Sequence, residues 1–420
     1  MNLTVLKMSQ INLRSFLVVL AIGLVQYYDY HLFGFMAPTI SKVLFPFDTP
    51  EQALIKTYFI IFTSYFAKPL GSLILGNIGD KLGRSITLDI SLIVSSVCAL
   101  IIAILPGNDK LGIISLIIIL VARMFITGVV GPGSDGVRLY IFEQINSRFR
   151  CFGEGAAIAS CLLGSFFASV SAMLFTSEYL GENGWRFAFA SGSLLGILVF
   201  LIKYFFPITE YKIQKQEKIE NQKGDSIAIT LSKNWLLILM MSLVAGAVGS
   251  SYQFLTVFFL QFNTNILKIT TVLSSYLLPA AIGLFLIGSV LAGIIADYIG
   301  KIRTIIFAFL AIMLISVYMI FCILETKFSI LAFLALASIL PFLIVPSHVI
   351  IKKAVLQPVR FRIYSFSHAL GSIAISGSTS FVSTKLYSLS AISWLPMCYF
   401  MIVIALMFVV TLFLSKQAKD

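Results

Sequence analysis

The feature that most constrains this chain is its series of long apolar runs separated by short polar breaks. A run of about 20 apolar residues crosses the roughly 30 Å hydrocarbon core of a bilayer as one α-helix. Lipid offers no partner to backbone N–H and C=O groups. Helices, which bond them internally, are therefore the expected fold. Twelve runs can be read: Leu13–Pro38, Leu54–Asn77, Ile86–Leu105, Leu111–Ile141, Gly155–Thr176, Trp185–Phe206, Trp235–Leu260, Val272–Ala296, Ile305–Leu324, Ile330–Ile351, Phe361–Tyr387 and Ile392–Leu414. Composition agrees, with 59% apolar and only 11% charged residues. A soluble domain carries about 25% charged residues. The first run is too long for a signal-peptide core and has no small-residue cleavage site, so it is expected to be a retained span.

A second feature sets the internal organisation. Gly71–Arg84 reads GSLILGNIGDKLGR and returns as GSVLAGIIADYIGK at Gly288–Lys301. Gly76 pairs with Gly293, Asp80 with Asp297, Gly83 with Gly300, and Arg84 with Lys301. The offset is about half the 420 residues, which points to two similar halves and not to a solenoid. The halves are expected at residues 1–206 and 234–420, six helices each. A connection over 207–233, rich in Lys, Glu and Gln, joins them. Within each copy the small residues let another helix approach closely. Asp80 can pair with Arg84 across the turn, and Gly83 relieves the backbone there. Gly76, Asp80, Gly83, Arg84, Asp297, Gly300 and Lys301 are thus expected to form conformational latches at helix ends, away from the midplane.

The net charge of +12 arises from 30 basic and 18 acidic residues. Nucleic-acid binding is one way to use such an excess. Placement argues against it, because most of the basic residues fall on one side of the twelve-span topology. That asymmetry follows the positive-inside rule and puts both termini in the cytoplasm. Lys352, Lys353, Arg360 and Arg362 are read as topology-setting charges of this kind. The five cysteines (Cys98, Cys151, Cys161, Cys322 and Cys398) lack metal-site or redox spacing and read as packing residues. There is no P-loop, H-E-x-x-H or G-x-S-x-G motif. No enzymatic activity, cofactor or metal is expected. ATP-driven transport by this chain alone is disfavoured, which leaves an ion gradient or exchange as the energy source.

Ionisable residues inside spans are expensive and mark functional sites. The first span carries Asp29 and His31 within QYYDYHLFGF, beside Tyr27, Tyr28 and Phe33. The second carries Lys68 before Pro69. The fourth carries Arg123, Asp135 and Arg138 in a glycine-rich stretch, with Asp135 and Arg138 one turn apart and able to pair. Each also has a plain structural reading as a packing hydrogen bond or ion pair. As functional groups, Lys68, Arg123 and Arg138 suit a substrate carboxylate, and Tyr27, Tyr28 and Phe33 could offer ring faces to an ammonium. Asp29 and Asp135 suit proton uptake, Asp29 also as a substrate contact. The eleventh run is rich in serine, where interhelical hydrogen bonding is expected.

These motifs together resemble the major facilitator superfamily. Within it they resemble the metabolite:proton symporters that include proline/betaine, citrate and 2-oxoglutarate carriers. The Gly71–Arg84 stretch is similar to the superfamily's loop 2–3 motif. FAKPLG before it resembles F-A-R-P-L-G, with Lys68 in the Arg position. QYYDYHLFGF resembles E-W-Y-D-F-x-L-Y-G-F, and NGWRFAFASGSLLG the G-W-R-x-P-F opening of helix six. PITEYK resembles P-E-T-P-x-F, and VRFRIYSFSHALG the V-R-x-x-x-x-S-x-x-x-N region. The resemblance implies two pseudo-symmetric six-helix bundles, a midplane cavity and alternating access. Two departures remove acids that the family carries: Gln26 opens the first-span motif, and Gly131-Pro132-Gly133 replaces G-G-E.

The expected function is secondary active transport. A proton-coupled symporter of a small carboxylate-bearing metabolite, a betaine-like zwitterion or an organic acid, heads the readings. The protein is expected to work as a monomer in the inner membrane. Exchange or export of an organic anion without proton coupling stays open, as does a non-transporting sensor on the same fold.

Overall fold

The computed structural model describes residues 12–175, 183–208, 227–260, 262–263 and 271–417. Most of the 207–233 connection therefore lies outside the described residues. Among the described residues the regular structure is helical, with no strand. Among them eleven candidate spans are long and apolar enough to cross a membrane, one of them formed by α3 and α4 together. This is a multi-pass, all-α membrane protein.

Two compact units divide the chain. The first takes the described residues within Met1–Gln144 and Ser160–Gly224. Its helices are α1 (Leu13–Phe35), α2 (Ala37–Leu44), α3 (Pro50–Ser64), α4 (Ala67–Leu82), α5 (Arg84–Ile104), α6 (Asn108–Leu111), α7 (Ile113–Gln144), the later part of α8 (Arg150–Phe175) and α9 (Gly184–Phe205). Some helix starts carry side-chain caps. Asn12 accepts from the Ser15 amide at 2.7 Å, and Thr49 opens α3. The second predicted span breaks at Tyr65–Phe66 into α3 and α4. Pro69 is tolerated because it sits in the first turn of α4, where the amide lacks an intrahelical partner. Pro132, in contrast, leaves α7 continuous. Helix α4 meets α7 at close quarters, because a Cβ on Gly71 would fall on the carbonyl of Gly128. The apolar core gathers Leu32, Phe33, Met36 and Ile40 with Ile102, Ile126, Trp185 and Phe189.

The second unit takes the described residues within Ile145–Ala159 and Asp225–Asp420. Helix α8 is thus divided, its residues to Ala159 in this unit and from Ser160 in the other. The other helices are α10 (Ile227–Lys233), α11 (Trp235–Gln253), α12 (Thr271–Ile299), α13 (Lys301–Leu324), α14 (Ile330–Lys353), α15 (Arg360–Gly371), α16 (Thr379–Ser390) and α17 (Leu395–Gln417). Helix α14 packs on α12 and α13, while α11 packs on α15 and α17. The predicted span Phe361–Tyr387 is not one continuous helix. It is α15, a π-helical turn at Ser372–Ser376, and α16. Gly371 is pressed so closely to α11 that a Cβ would meet the Ser242 carbonyl. Serine and glycine in this run lower its apolar content, which is why it falls outside the eleven. Interhelical bonding by its hydroxyls is seen at Thr379, which donates to Ser250 at 2.7 Å. Four of the five cysteines are buried, and none forms a disulfide.

Candidate functional site

The side chains of α1 leave the helix about 100° apart, so neighbours in sequence reach different partners. Tyr28 turns to α9. Its hydroxyl lies 3.1 Å from the Ala188 carbonyl, to which it donates, and 3.0 Å from Ser191. It is a buried brace and does not join the charged group. Tyr27 faces α7, within reach of Ser134, Asp135 and Arg138. Tyr30 and His31 continue the Tyr27 face one turn on. Tyr27 and His31 rings stand 5.3 Å apart, and Tyr30 and His31 meet edge-on at 4.9 Å. His31 Nδ1 lies 3.0 Å from the Tyr27 carbonyl and 2.9 Å from Ser165, which supports a structural hydrogen-bonding role.

Two cations meet on this face. Lys68, at the start of α4, holds its ammonium 4.6 Å from the Tyr65 ring centroid and 5.0 Å from that of Tyr30. Arg123, on α7, is 2% exposed. Its guanidinium sits 4.8 Å from the Phe33 ring and 5.8 Å from that of Tyr30. Its one hydrogen bond is a long one, 3.4 Å from Nη1 to the Tyr30 carbonyl. Neither Lys68 nor Arg123 forms an ion pair with a carboxylate among the described residues. Ring faces offset part of the desolvation of a cation, worth about 0.5–2 kcal/mol each. They leave the N–H donors unspent. The break between α3 and α4 is what brings Tyr65 and Lys68 together. Gly131 of α7 lies against the Lys68 stem and leaves it room.

Asp29 is fully buried, and neither carboxylate oxygen has a hydrogen-bond partner. It faces Gly192 of α9, where any side chain would strike it. Arg123 is within electrostatic reach but forms no ion pair with it. Asp135 and Arg138 are both buried on α7. Gln26, in place of the family acid, donates to Ser91 at 2.7 Å, with Gly133 closely packed beside it. Among the described residues no cluster of His, Cys, Asp and Glu could hold a metal ion.

The repeated turns take different forms. In the first, Arg84 donates to Asp80 at 2.9 Å and holds Glu143 with two parallel bonds at 3.0 and 3.1 Å. In the second, Asp297 accepts from the amides of Cys151 and Phe152 at 3.0 and 2.8 Å, at the start of α8. Lys301 forms no ion pair with Asp297.

The sequence profile of the Major Facilitator Superfamily matches residues 19–355. The chain belongs to that superfamily. The major facilitator fold is seen directly in a solved structure of the proton:xylose symporter XylE. It superposes with a TM-score of 0.73 over 96% of this chain and 95% of that one, at 16% identity. The citrate–proton symporter of Salmonella typhi is 24% identical over 65% of this chain but only 63% of its own length. A glycine betaine/proline/ectoine/pipecolic acid transporter of Dickeya dadantii is 23% identical over 97% of this chain and 84% of its own. These are the transporter types that the sequence motifs resembled. The homologues and the fold are those of membrane transporters and not of enzymes.

Several residues of this major facilitator protein were not singled out by sequence. Tyr30 and Tyr65 are ordinary members of an aromatic-rich chain with 37 Phe and 16 Tyr. Only the helix geometry marks them as the faces that hold Lys68 and Arg123. Glu143 gave no sign of its bond to Arg84. Lys352 corrects an expectation outright. It is fully buried and ion-paired with Glu154, where the sequence suggested a topology-setting charge at an interface. A lysine in the last turn of an apolar helix looks the same in either case. Only the partner on another helix distinguishes them.

Proposed function

We propose that this protein is a proton-coupled secondary transporter of small organic anions, di- or tricarboxylates above zwitterions. It works by alternating access of the halves 1–206 and 234–420, as a monomer in the inner membrane with both termini cytoplasmic. The carrying observation is the pair Lys68 and Arg123, which share the Tyr30 ring and have no carboxylate bound to them among the described residues. Two such cations suit an anion with more than one carboxylate. Ring faces that would otherwise hold an ammonium are already turned to the protein's own cations, which argues against a betaine-like ligand. The similarity to a citrate–proton symporter supports the same reading. Asp29 is a proton carrier in this scheme, because a buried carboxyl without hydrogen bonds is costly while ionised. Asp135, with Arg138 one turn away, is the second candidate.

Uptake of labelled citrate, 2-oxoglutarate, proline and glycine betaine into proteoliposomes, with and without an inward pH gradient, tests this. Citrate or 2-oxoglutarate should accumulate with the gradient. Arg123→Ala should lower that uptake roughly 10–100-fold, the value of about 1.5–3 kcal/mol for a hydrogen bond to a charged group. Asp29→Asn or Asp135→Asn should abolish gradient-driven accumulation and spare exchange. Accumulation of proline or betaine alone would refute the organic-anion reading. Exchange unaffected by a gradient in the unmodified protein would refute proton coupling and favour the exchanger, which Gln26 in the family acid's place also fits.

A further inference from the structure

Glu154 lies one turn into α8 and is buried, its side chain 1% exposed. Its Oε2 is ion-paired with Nζ of Lys352, in the last turn of α14. Its Oε1 has no hydrogen bond and stands 3.9 Å from Nδ1 of His348, one turn earlier on α14. That nitrogen is 2.9 Å from the hydroxyl of Tyr364 on α15. The Tyr364 ring also faces Lys352 Nζ, at 5.2 Å. His368, one turn beyond Tyr364, stands with its ring 6.2 Å from those of His348 and Tyr364. His348, Lys352 and Tyr364 are buried as completely as Glu154.

With His348 neutral, the carboxylate and the ammonium cancel. A proton on His348 changes that balance. The imidazolium and the ammonium would then stand at i and i+4 of one helix, where like charges repel. Both would draw on the Glu154 carboxylate, and its idle Oε1 would be the acceptor for the new N–H. A buried excess charge is costly, and the lysine at the helix end is the group able to reach water. Asp297 of α12 is occupied by the Cys151 and Phe152 amides. Lys353, which is exposed, feels Lys301 of α13 and Arg150 of α8, so the surroundings add positive charge.

We propose that Glu154, Lys352, His348 and Tyr364 form a proton-binding site. When neutral it locks the start of α8 to the end of α14, and when protonated it releases them. This site is separate from Asp29 and Asp135, and the proposal stands whatever substrate the first unit binds.

The test uses the full chain in lipid nanodiscs, with the five native cysteines replaced by alanine. Spin labels go on Ser147 and Leu356, exposed positions just before α8 and just after α14. Their distance is read by pulsed electron resonance at about pH 8 and about pH 5.5, either side of the usual imidazole range. Acidification should add a longer-distance population. His348→Gln and the double variant Glu154→Gln with Lys352→Met should lose that response, each keeping one distribution at both pH values. Tyr364→Phe, which removes only a hydroxyl, should fold normally and shift the midpoint of the response. If a charge variant does not fold, this one still decides. The proposal is overturned if the parent shows one distribution at both pH values. It is equally overturned if the variants respond to pH as the parent does.

Discussion

The two copies of the repeated turn began as nearly the same sequence and are held by different chemistry. At the first, an arginine opens α5 and binds Asp80 and Glu143 together, so the turn is fixed by an ion network. At the second, a lysine opens α13 without pairing to its aspartate, and Asp297 spends both oxygens on the amides at the start of α8. The backbone is shared. Gly83 and Gly300 adopt φ of 113° and 109°, a region that other residues enter with strain. The lesson concerns the charged partner. Arg and Lys both keep the positive charge, but only the planar guanidinium can hold two carboxylates at once. A motif conserved in charge across the halves is therefore not conserved in what it holds.

The largest effect is expected from breaking the first turn. Arg84→Ala removes the cation bonded to two buried carboxylates, Glu143 and Asp80, whose side chains are 6% and 1% exposed. Removing one partner of a buried pair costs about 3–5 kcal/mol. Thermal unfolding in detergent should show the loss, and Arg84→Lys should recover only part of it. A loss no larger than that of Lys301→Ala would mean that the turns are equivalent after all.

An intermediate effect is expected at Asp297→Ala. It uncaps two amides of α8, and removing a helix cap costs about 0.5–2 kcal/mol. Asp297→Asn, which keeps one oxygen, should fall between. If transport slows in Asp297→Ala while equilibrium substrate binding is unchanged, the turn acts as a latch. Equal loss of binding would count against that role.

The most nearly matched effects should come from Gly83→Ala and Gly300→Ala. Each places a Cβ on a backbone with φ above 100° and extended ψ, a region essentially confined to glycine, at about 1–3 kcal/mol. Similar shifts in unfolding temperature would confirm that the halves share the turn geometry and differ only in partners. Lys301→Ala should lie within about 0.5 kcal/mol of the parent, as for a surface change away from such features.

Much of the fold was readable because membrane insertion leaves few choices. Run length and backbone satisfaction dictate helices, but the breaks at Tyr65–Phe66 and Ser372–Ser376, inside runs read as single spans, came only with the structure. The site was readable only as a set of costly residues. Asp29, Lys68, Arg123, Asp135 and Arg138 stood out because charge in a span needs a reason. Which of them meet was not readable, since partners on other helices are set by rotation about each axis. Tyr28 shows the limit. It sits next to Tyr27 in sequence and points to α9, away from the cations.

The sequence by itself determined that this is a helical membrane protein of two related halves with charges placed inside its spans. It did so because apolar run length and the repeat are one-dimensional properties. Only the tertiary structure decided that Lys68 and Arg123 share one tyrosine ring, that Arg84 reaches Glu143, and that Lys352 is buried against Glu154 beside His348. Those contacts join residues tens to hundreds of positions apart, and a side chain's energy in a membrane depends on which atoms surround it.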